Sequence, residues 1–211
     1  MLNTLGAAPL FQAGFEPSQL MVFPFLGAVM LLAWVTVKHT PKYKENETIN
    51  SIGTAAVTFG SLLLFLLFGA NMAMLKGVLL ADILLYASVS DIKTRKVTDA
   101  VPLMIFLLGL INVSPRVLLC RIITALVFFG VFTLLAIIFE NKIGGADVKF
   151  VSVCMLVTGF SRGFVGLIAG LLLSVVCTLI RNKKTKVKDY TLPLIPYLSV
   201  GFFAAYLMGG I

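Results

Sequence analysis

Long apolar runs separated by short polar segments dominate the sequence. Eight runs qualify as candidate membrane spans, near 20–37, 54–70, 77–90, 101–113, 117–139, 150–160, 163–180 and 192–208. Several are shorter than the roughly 20 residues of a full bilayer crossing, and the short ones flank 91–99 and 144–149. We therefore predict an all-α polytopic membrane bundle of about eight transmembrane helices, with a hydrated hollow beside those two segments.

The composition agrees with this pattern and excludes most other classes of protein. The chain has 211 residues, of which 59% are hydrophobic and 12% charged, whereas soluble domains average about 25% charged residues. A soluble globular domain, a disordered chain, a coiled coil and a disulfide scaffold are therefore excluded. The length predicts one membrane-embedded domain over residues 1–211, with an extracytoplasmic lead-in at 1–17 and a short cytoplasmic loop at 38–53.

Basic residues are distributed unequally between the two predicted sides of the membrane. The formal charge is +8, but in a membrane protein it indicates topology and contact with anionic lipids rather than nucleic acid. One side holds only Lys76, Arg116, Arg121 and Arg162 of the 17 basic residues. The positive-inside rule makes the other side cytoplasmic and places both termini outside. Residues 1–15 contain no Lys or Arg, so a cleavable signal peptide is not expected.

Small and sulfur-containing residues have simple structural interpretations. Cys120, Cys154 and Cys177 lie in apolar runs without Cys-x-x-Cys spacing, so we expect buried thiols and no metal site. The spacing of Gly166 and Gly170 predicts a face for close helix packing.

The nine acidic residues are few enough to be considered one by one. Five lie in loops or at helix ends among polar neighbours and are expected to be solvated: Glu16, Glu45, Glu47, Glu140 and Asp189. Asp82 lies in the middle of an apolar run, where a carboxyl group is costly. Two interpretations of Asp82 stay open, a functional group and a protonated side chain hydrogen-bonded to a neighbouring helix.

Asp91 and Asp147 lie at the predicted cytoplasmic edge, on separate helices. Taken singly, Asp91 could pair with Lys93 or Arg95, and Asp147 could cap a helix that starts after Gly144-Gly145. Taken together, two carboxyl groups at one depth beside water suit acid–base hydrolysis of a peptide bond, because a close pair shares one proton. The two glycines would let backbone approach this site.

Three segments are similar to motifs of the type IV prepilin peptidase family, the membrane aspartyl proteases with a Gly-x-Gly-Asp motif. Asp91-Ile92-Lys93-Thr94-Arg95-Lys96-Val97-Thr98-Asp99 resembles the first motif, an Asp followed six to eight residues later by Ile-Pro-Asn or Ile-Pro-Asp. Gly144-Gly145-Ala146-Asp147-Val148-Lys149 resembles the second, Gly-x-Gly-Asp-x-Lys. A weaker likeness lies in Pro193-Leu194-Ile195-Pro196-Tyr197, so the resemblance covers about residues 77–208.

The resemblance implies an aspartic endopeptidase with Asp91 and Asp147 as its catalytic pair. Its substrate would be a prepilin or pseudopilin helix in the bacterial cytoplasmic membrane, whose short basic leader is removed at the cytoplasmic face. Such processing serves type IV pili or protein secretion. Gly144, Gly145, Lys149 and Asp99 match or adjoin the motifs and are expected to support the site or bind substrate, Lys149 as a cation near Asp147.

The sequence departs from the family pattern in three places. Ala146 replaces the second motif glycine, and Thr98 replaces the proline of the first motif, which loosens that turn and makes Asp99 a helix N-cap. The loop at 38–53 contains none of the cysteines that bifunctional relatives carry. We therefore expect a peptidase without N-methylation, without a metal and without a cofactor.

Two other functions compete with this interpretation. A small proton-coupled carrier would use Asp82, Asp91 and Asp147 as relay groups, although neither repeated halves nor broken helices are evident. An inactive scaffold with the peptidase fold would hold the two carboxyl groups apart.

Overall fold

Helices make up the fold throughout the described part of the chain. The computed structural model describes residues 47–69, 71–139, 144–184 and 193–209. Within these ranges the chain forms seven α-helices and no strand. In order they are α1 (Glu47–Phe68), α2 (Met72–Thr94), α3 (Ala100–Leu110), α4 (Pro115–Ile138), α5 (Gly145–Thr158), α6 (Phe160–Lys184) and α7 (Ile195–Leu207).

Seven of the eight predicted spans coincide with these helices, and the span at 20–37 lies outside the described residues. Three helical segments are long and apolar enough to cross a bilayer, namely Met72–Thr94, Pro115–Ile138 and Phe160–Ile180. Thr54–Phe68, α3 and α7 are apolar but shorter. The all-α prediction is confirmed for the described residues, and their helices are compatible with a membrane bundle, but a count of eight transmembrane helices is not confirmed.

Three predicted boundaries need correction. The loop predicted at 38–53 is helical from Glu47 onward, and α2 continues beyond its apolar run to Thr94. Only Gly159, with a φ of 79°, separates α5 from α6, whereas the predicted spans placed the break at 161–162. Apolar runs mark the part of a helix that suits lipid, whereas the hydrogen-bonded helix itself continues into polar residues at either end.

Helices α2, α5 and α7 form the centre of the bundle. Helix α5 contacts α3, α4, α6 and α7, and α2 contacts α1, α3 and α7. Their facing side chains are fully buried, among them Ala87 of α2, Phe150 and Met155 of α5, and Phe202 of α7. The rings of Phe150 and Phe202 meet edge to face with centroids 6.5 Å apart. The centre is therefore a packed apolar core.

Large apolar side chains cover the outer helices. In α4 Phe128 is the only buried residue, and Leu126, Leu134 and Ile137 are each more than half exposed. An exposed apolar surface of this extent is expected of a lipid-facing helix. Cys120, predicted to be buried, lies on this surface and is exposed, whereas Cys154 is buried as predicted.

Helices α6 and α7 approach each other through glycines. Gly166 and Gly170 of α6 face Gly201 of α7, where a Cβ would collide with the Gly166 carbonyl oxygen and lie 2.7 Å from the Gly170 nitrogen. A Cβ at Gly170 would lie 2.9 Å from the Leu198 Cα. The close-packing face predicted from the Gly166 and Gly170 spacing is confirmed.

Helix directions divide the bundle into two ends. Helix α2 runs opposite to α3, α5 and α7, because Asp91 near its end bonds to Ile195 at the start of α7, and Lys76 near its start bonds to Ile111 after α3. We call the end of the bundle that holds Asp91 and Ile195 the aspartate end, and the end that holds Lys76 and Ile111 the basic end. About 15 residues of α2 separate them, or roughly 22 Å.

Replacing Gly201 with alanine should destabilise the protein by about 1–3 kcal/mol, because the added methyl group meets backbone that side-chain rotation cannot clear. Gly130→Ala is the matched control, since a Cβ at Gly130 meets nothing within 4 Å. The measurement is the unfolding midpoint in detergent. Equal midpoints for the two variants would contradict the close approach of α6 and α7.

Candidate active site

Asp91 lies in the last turn of α2, where the helix ends in a left-handed residue. Arg95 has a φ of 54°, and its backbone N–H donates to the Asp91 carbonyl oxygen at 3.0 Å. The Asp91 side chain is half-buried at this position. The charge of Arg95 acts on the Asp91 carboxylate. The first expectation, a pairing of Asp91 with Arg95, thus has an electrostatic basis.

Two hydroxyl groups fix the segment that follows Asp91. Ser90 Oγ donates to the Lys96 carbonyl oxygen at 2.9 Å, and Thr94 Oγ1 donates to the same oxygen at 3.0 Å. Val97 then packs against the core. Thr98, which replaces the expected proline, was predicted to loosen this turn. The hydroxyl groups of Ser90 and Thr94 hold it instead.

The Asp91 carboxylate contacts the start of α7. Its Oδ2 accepts a hydrogen bond from the Ile195 backbone N–H at 3.2 Å. Amides in the first turn of a helix lack an intrahelical acceptor and carry partial positive charge, so a carboxylate is a favourable partner. The weakest of the three sequence motifs, Pro193 to Tyr197, thus positions Asp91. Sequence reasoning missed this role, because the partner is a backbone atom 104 residues away.

Asp147 lies in the first turn of α5, ahead of the apolar run at 150–160. Gly144 is the N-cap residue, and its carbonyl oxygen accepts the Asp147 N–H at 3.0 Å. A Cβ at Gly144 would lie 2.9 Å from Asp147 Oδ2, whereas a Cβ at Gly145 meets nothing within 4 Å. The predicted close backbone approach therefore occurs at Gly144 and not at Gly145.

Burial and the negative charge of Asp91 raise the pKa of Asp147 to about 6. A hydrogen bond from the Gly144 backbone opposes this rise. The charge of Asp91 therefore acts on the Asp147 carboxyl group, so the two acids that the sequence paired are electrostatically linked.

Lys149 and Asp99 contact each other rather than the two acids. Lys149 Nζ donates to Asp99 Oδ1 at 2.7 Å, and the side chains are 50% and 84% exposed. Asp99 occupies the predicted N-cap position of α3, but its side chain makes no capping hydrogen bond. An exposed ion pair contributes about 0–1 kcal/mol. Its clearest effect is to connect α5 with the loop that leads into α3.

Asp82 lies apart from this site. It is buried in the middle of α2, and its Oδ1 has no hydrogen-bond partner within the described part of the chain. The prediction of a hydrogen-bonded Asp82 is therefore not met at that oxygen. Nine residues of helix separate Asp82 from Asp91, or roughly 13 Å along the axis.

Comparison with known proteins gives one family match. The model of the type IV leader peptidase family matches residues 78–180, a segment that contains Asp82, Asp91, Asp99 and Asp147. Neither the curated proteins nor the solved structures contain a significant match to the chain.

Asp91→Asn should lower the pKa of Asp147, because the substitution removes the nearby negative charge while burial of Asp147 persists. The carboxyl stretching band in infrared titrations of purified protein measures the change, with Asp147→Asn identifying the band. Asp99→Asn is the charge-matched control and should leave the band in place. An unchanged Asp147 titration in Asp91→Asn would show that the two acids do not interact.

Proposed function

We propose that this membrane protein is an aspartic endopeptidase, because residues 78–180 match the model of the type IV leader peptidase family. It cleaves the short basic leader from prepilin-like or pseudopilin-like precursors at the cytoplasmic face of a bacterial membrane. The family match supports a leader-peptidase-like protease. The use of two aspartates, the sidedness and the substrate are part of our proposal.

The observation that supports it most is the electrostatic coupling of Asp91 and Asp147. Helix α2 supplies one carboxyl group and helix α5 the other, both at the aspartate end. Two acids that share a polar site cannot both ionise freely, so the pair retains one proton over a range of pH. One proton on two carboxyl groups is the state that an aspartic peptidase needs.

Burial disfavours the charged form of both acids, but the contacts that offset or add to this effect differ between them. The Ile195 amide favours an ionised Asp91, because a hydrogen bond donated to a carboxylate stabilises its charge. Burial and the Asp91 charge favour a protonated Asp147. We therefore assign Asp91 as the general base and Asp147 as the general acid.

Hydrolysis then proceeds in two proton-balanced steps. Asp91 accepts a proton from a water molecule as the water oxygen attacks the scissile carbonyl carbon, and Asp147 donates its proton to the carbonyl oxygen. The resulting diol collapses as the C–N bond breaks. The amine leaves with the proton held by Asp91, and Asp147 regains a proton from the hydroxyl group, which restores both acids.

Three short helices of the bundle favour access from water. Helices α3, α5 and α7 contain 11, 14 and 13 residues, or roughly 16 to 21 Å, against about 30 Å for the bilayer core. Water and a leader segment can therefore reach the aspartate end below the level of the lipid headgroups. The apolar helix of the substrate would lie in the surrounding lipid.

The carrier hypothesis receives less support from the geometry. It requires Asp82 and Asp91 to pass protons, yet roughly 13 Å of helix separates them. The absence of cysteine from residues 38–53 supports a peptidase that does not methylate its product. This part of the proposal rests on sequence, because most of that loop lies outside the described residues.

Asp91→Asn and Asp147→Asn should each abolish leader cleavage, since each removes an essential proton acceptor or donor. The measurement is the mobility of a co-expressed pilin-like precursor, with the amount of each variant in the membrane checked in parallel. Asp82→Asn is the control and should retain cleavage. Cleavage that survives in either of the first two variants would exclude the proposed dyad, and proton flux that depends on Asp82 would favour the carrier.

Gly144→Ala should reduce kcat about tenfold or more with little change in KM, because its methyl group would displace the Asp147 carboxyl group by a few tenths of an ångström or more. Gly145→Ala, at the next residue, should have a kcat within about twofold of that of the unsubstituted protein. The measurement is steady-state cleavage of a leader-containing peptide in detergent. Equal effects of the two substitutions would indicate that the close approach at Gly144 has no part in catalysis.

A further inference from the structure

A polar cavity lies at the basic end, on the opposite side of the bundle from Asp91 and Asp147. Its volume is about 210 Å³, and its lining includes Lys76, Arg121, Arg162 and Tyr206. These residues come from α2, α4, α6 and α7, so the cavity lies where four helices meet. Nothing in the proposed peptide hydrolysis uses it.

Three cations converge on this cavity. The charge of Arg121 acts on Lys76, and the charge of Arg162 acts on Arg121, so the three lie in electrostatic reach of one another. Within the described part of the chain none of these three cations forms an ion pair with a carboxylate. Mutual repulsion in a partly buried site is costly unless an anion compensates it.

Backbone contacts hold Lys76 in place, and the two arginines lie close to glycine backbone. Lys76 is buried and donates to the carbonyl oxygens of Ile111 at 3.0 Å and Gly109 at 3.4 Å. An ammonium group has three donors, so one remains for the cavity that Lys76 lines. The Arg162 guanidinium lies against Gly209, and a Cβ at Gly159 would lie 3.8 Å from Arg121 Nε.

A groove continues from the cavity along the lipid-facing surface. Its volume is about 400 Å³, and it shares Arg121 and Arg162 with the cavity, while Arg116, Val117 and Phe160 line its outer part. The Phe160 ring stacks on Phe164 and contacts Phe128, with centroids 6.0 and 6.2 Å apart. A charged recess that opens onto an apolar aromatic surface matches a ligand with an anionic head and an apolar tail.

We propose that Lys76, Arg121 and Arg162 bind a phosphate group at the basic end, supplied by an anionic phospholipid whose acyl chains lie along α4 and α6. Guanidinium groups bind phosphate oxygens with two parallel hydrogen bonds, and the lysine adds a compact positive charge. All four basic residues that the charge count places outside, Arg116 included, line this cavity or its groove. The site therefore faces the outer leaflet.

Two other anions would satisfy the same cations. Free inorganic phosphate shares the chemistry of the lipid headgroup but has no apolar part that could fill the groove. Glu16 is the one acidic residue that the charge count places on the outer side, and its carboxylate would neutralise the site from within the chain. The experiment distinguishes these sources from a phospholipid.

The test measures lipid binding to the purified full chain in detergent, by native mass spectrometry and by thermal unfolding. The probes are phosphatidylglycerol, phosphatidylcholine and inorganic phosphate. We expect phosphatidylglycerol to bind in a one-to-one ratio and raise the midpoint, with weaker effects of the other two. Arg121→Gln and Arg162→Gln should each weaken this binding about tenfold, the loss expected for one charge-assisted contact.

Two control variants decide the outcome. Lys96→Gln removes one positive charge at the aspartate end and should leave binding of phosphatidylglycerol unchanged. Glu16→Gln should also leave it unchanged, and a marked gain in binding would instead show that Glu16 occupies the cations. Equal binding of the two lipids, equal stabilisation by inorganic phosphate, or undiminished binding in both arginine variants would overturn the proposal.

Discussion

The structure depends on satisfying helix ends that lie within the membrane. Helices α3 and α7 are shorter than a bilayer crossing, and terminal backbone groups of a helix are costly in lipid when they are unpaired. Helix α2 supplies charged partners for both. Lys76, near its start, donates to the carbonyl oxygens of Gly109 and Ile111 at the end of α3, and Asp91, near its end, accepts the Ile195 amide of α7. Each charge also has the sign that favours it at that helix terminus. One long helix thus fixes the depth of two short ones.

This constraint explains why the site is held without a rigid turn. Asp91 is positioned by the start of α7, and α7 in turn is positioned by the glycine contacts of Gly201 with α6. Ser90 and Thr94 hold the Lys96 carbonyl oxygen and direct the chain towards α3. The proline missing at Thr98 is therefore not essential for the local fold, because the hydroxyl groups of Ser90 and Thr94 supply the same restraint. Helix packing and side-chain hydrogen bonds thus restrain the segment that the ring of a proline at position 98 would otherwise restrain.

Apolar runs were enough to locate the seven described helices, because lipid exposure demands continuous apolar sequence. The apolar runs did not give the helix boundaries correctly. Polar residues 47–53 are part of α1, and Gly159 alone divides α5 from α6. Asp91 and Asp147 could be paired from their motifs and their predicted depth, whereas the Ile195 amide and the Lys76 contacts could not, since their partners are backbone atoms with no residue signature. Gly144 and Gly145 look equivalent in sequence, and only their surroundings distinguish them. Lys149 likewise has two candidate acids nearby, and the geometry selects Asp99.

Opposite charges at opposite ends of one bundle also have a common physical origin. A bundle of short helices leaves polar openings at both ends, and an ionisable group is tolerated there only with a partner or with water. At the aspartate end the charge of Asp91 acts on Asp147, and a carboxyl group can relieve such repulsion by retaining a proton. At the basic end arginines cannot lose their protons at physiological pH. Repulsion among them is therefore not relieved by loss of a proton, so this end of the bundle suits an anion, whereas a pair of acids suits proton transfer.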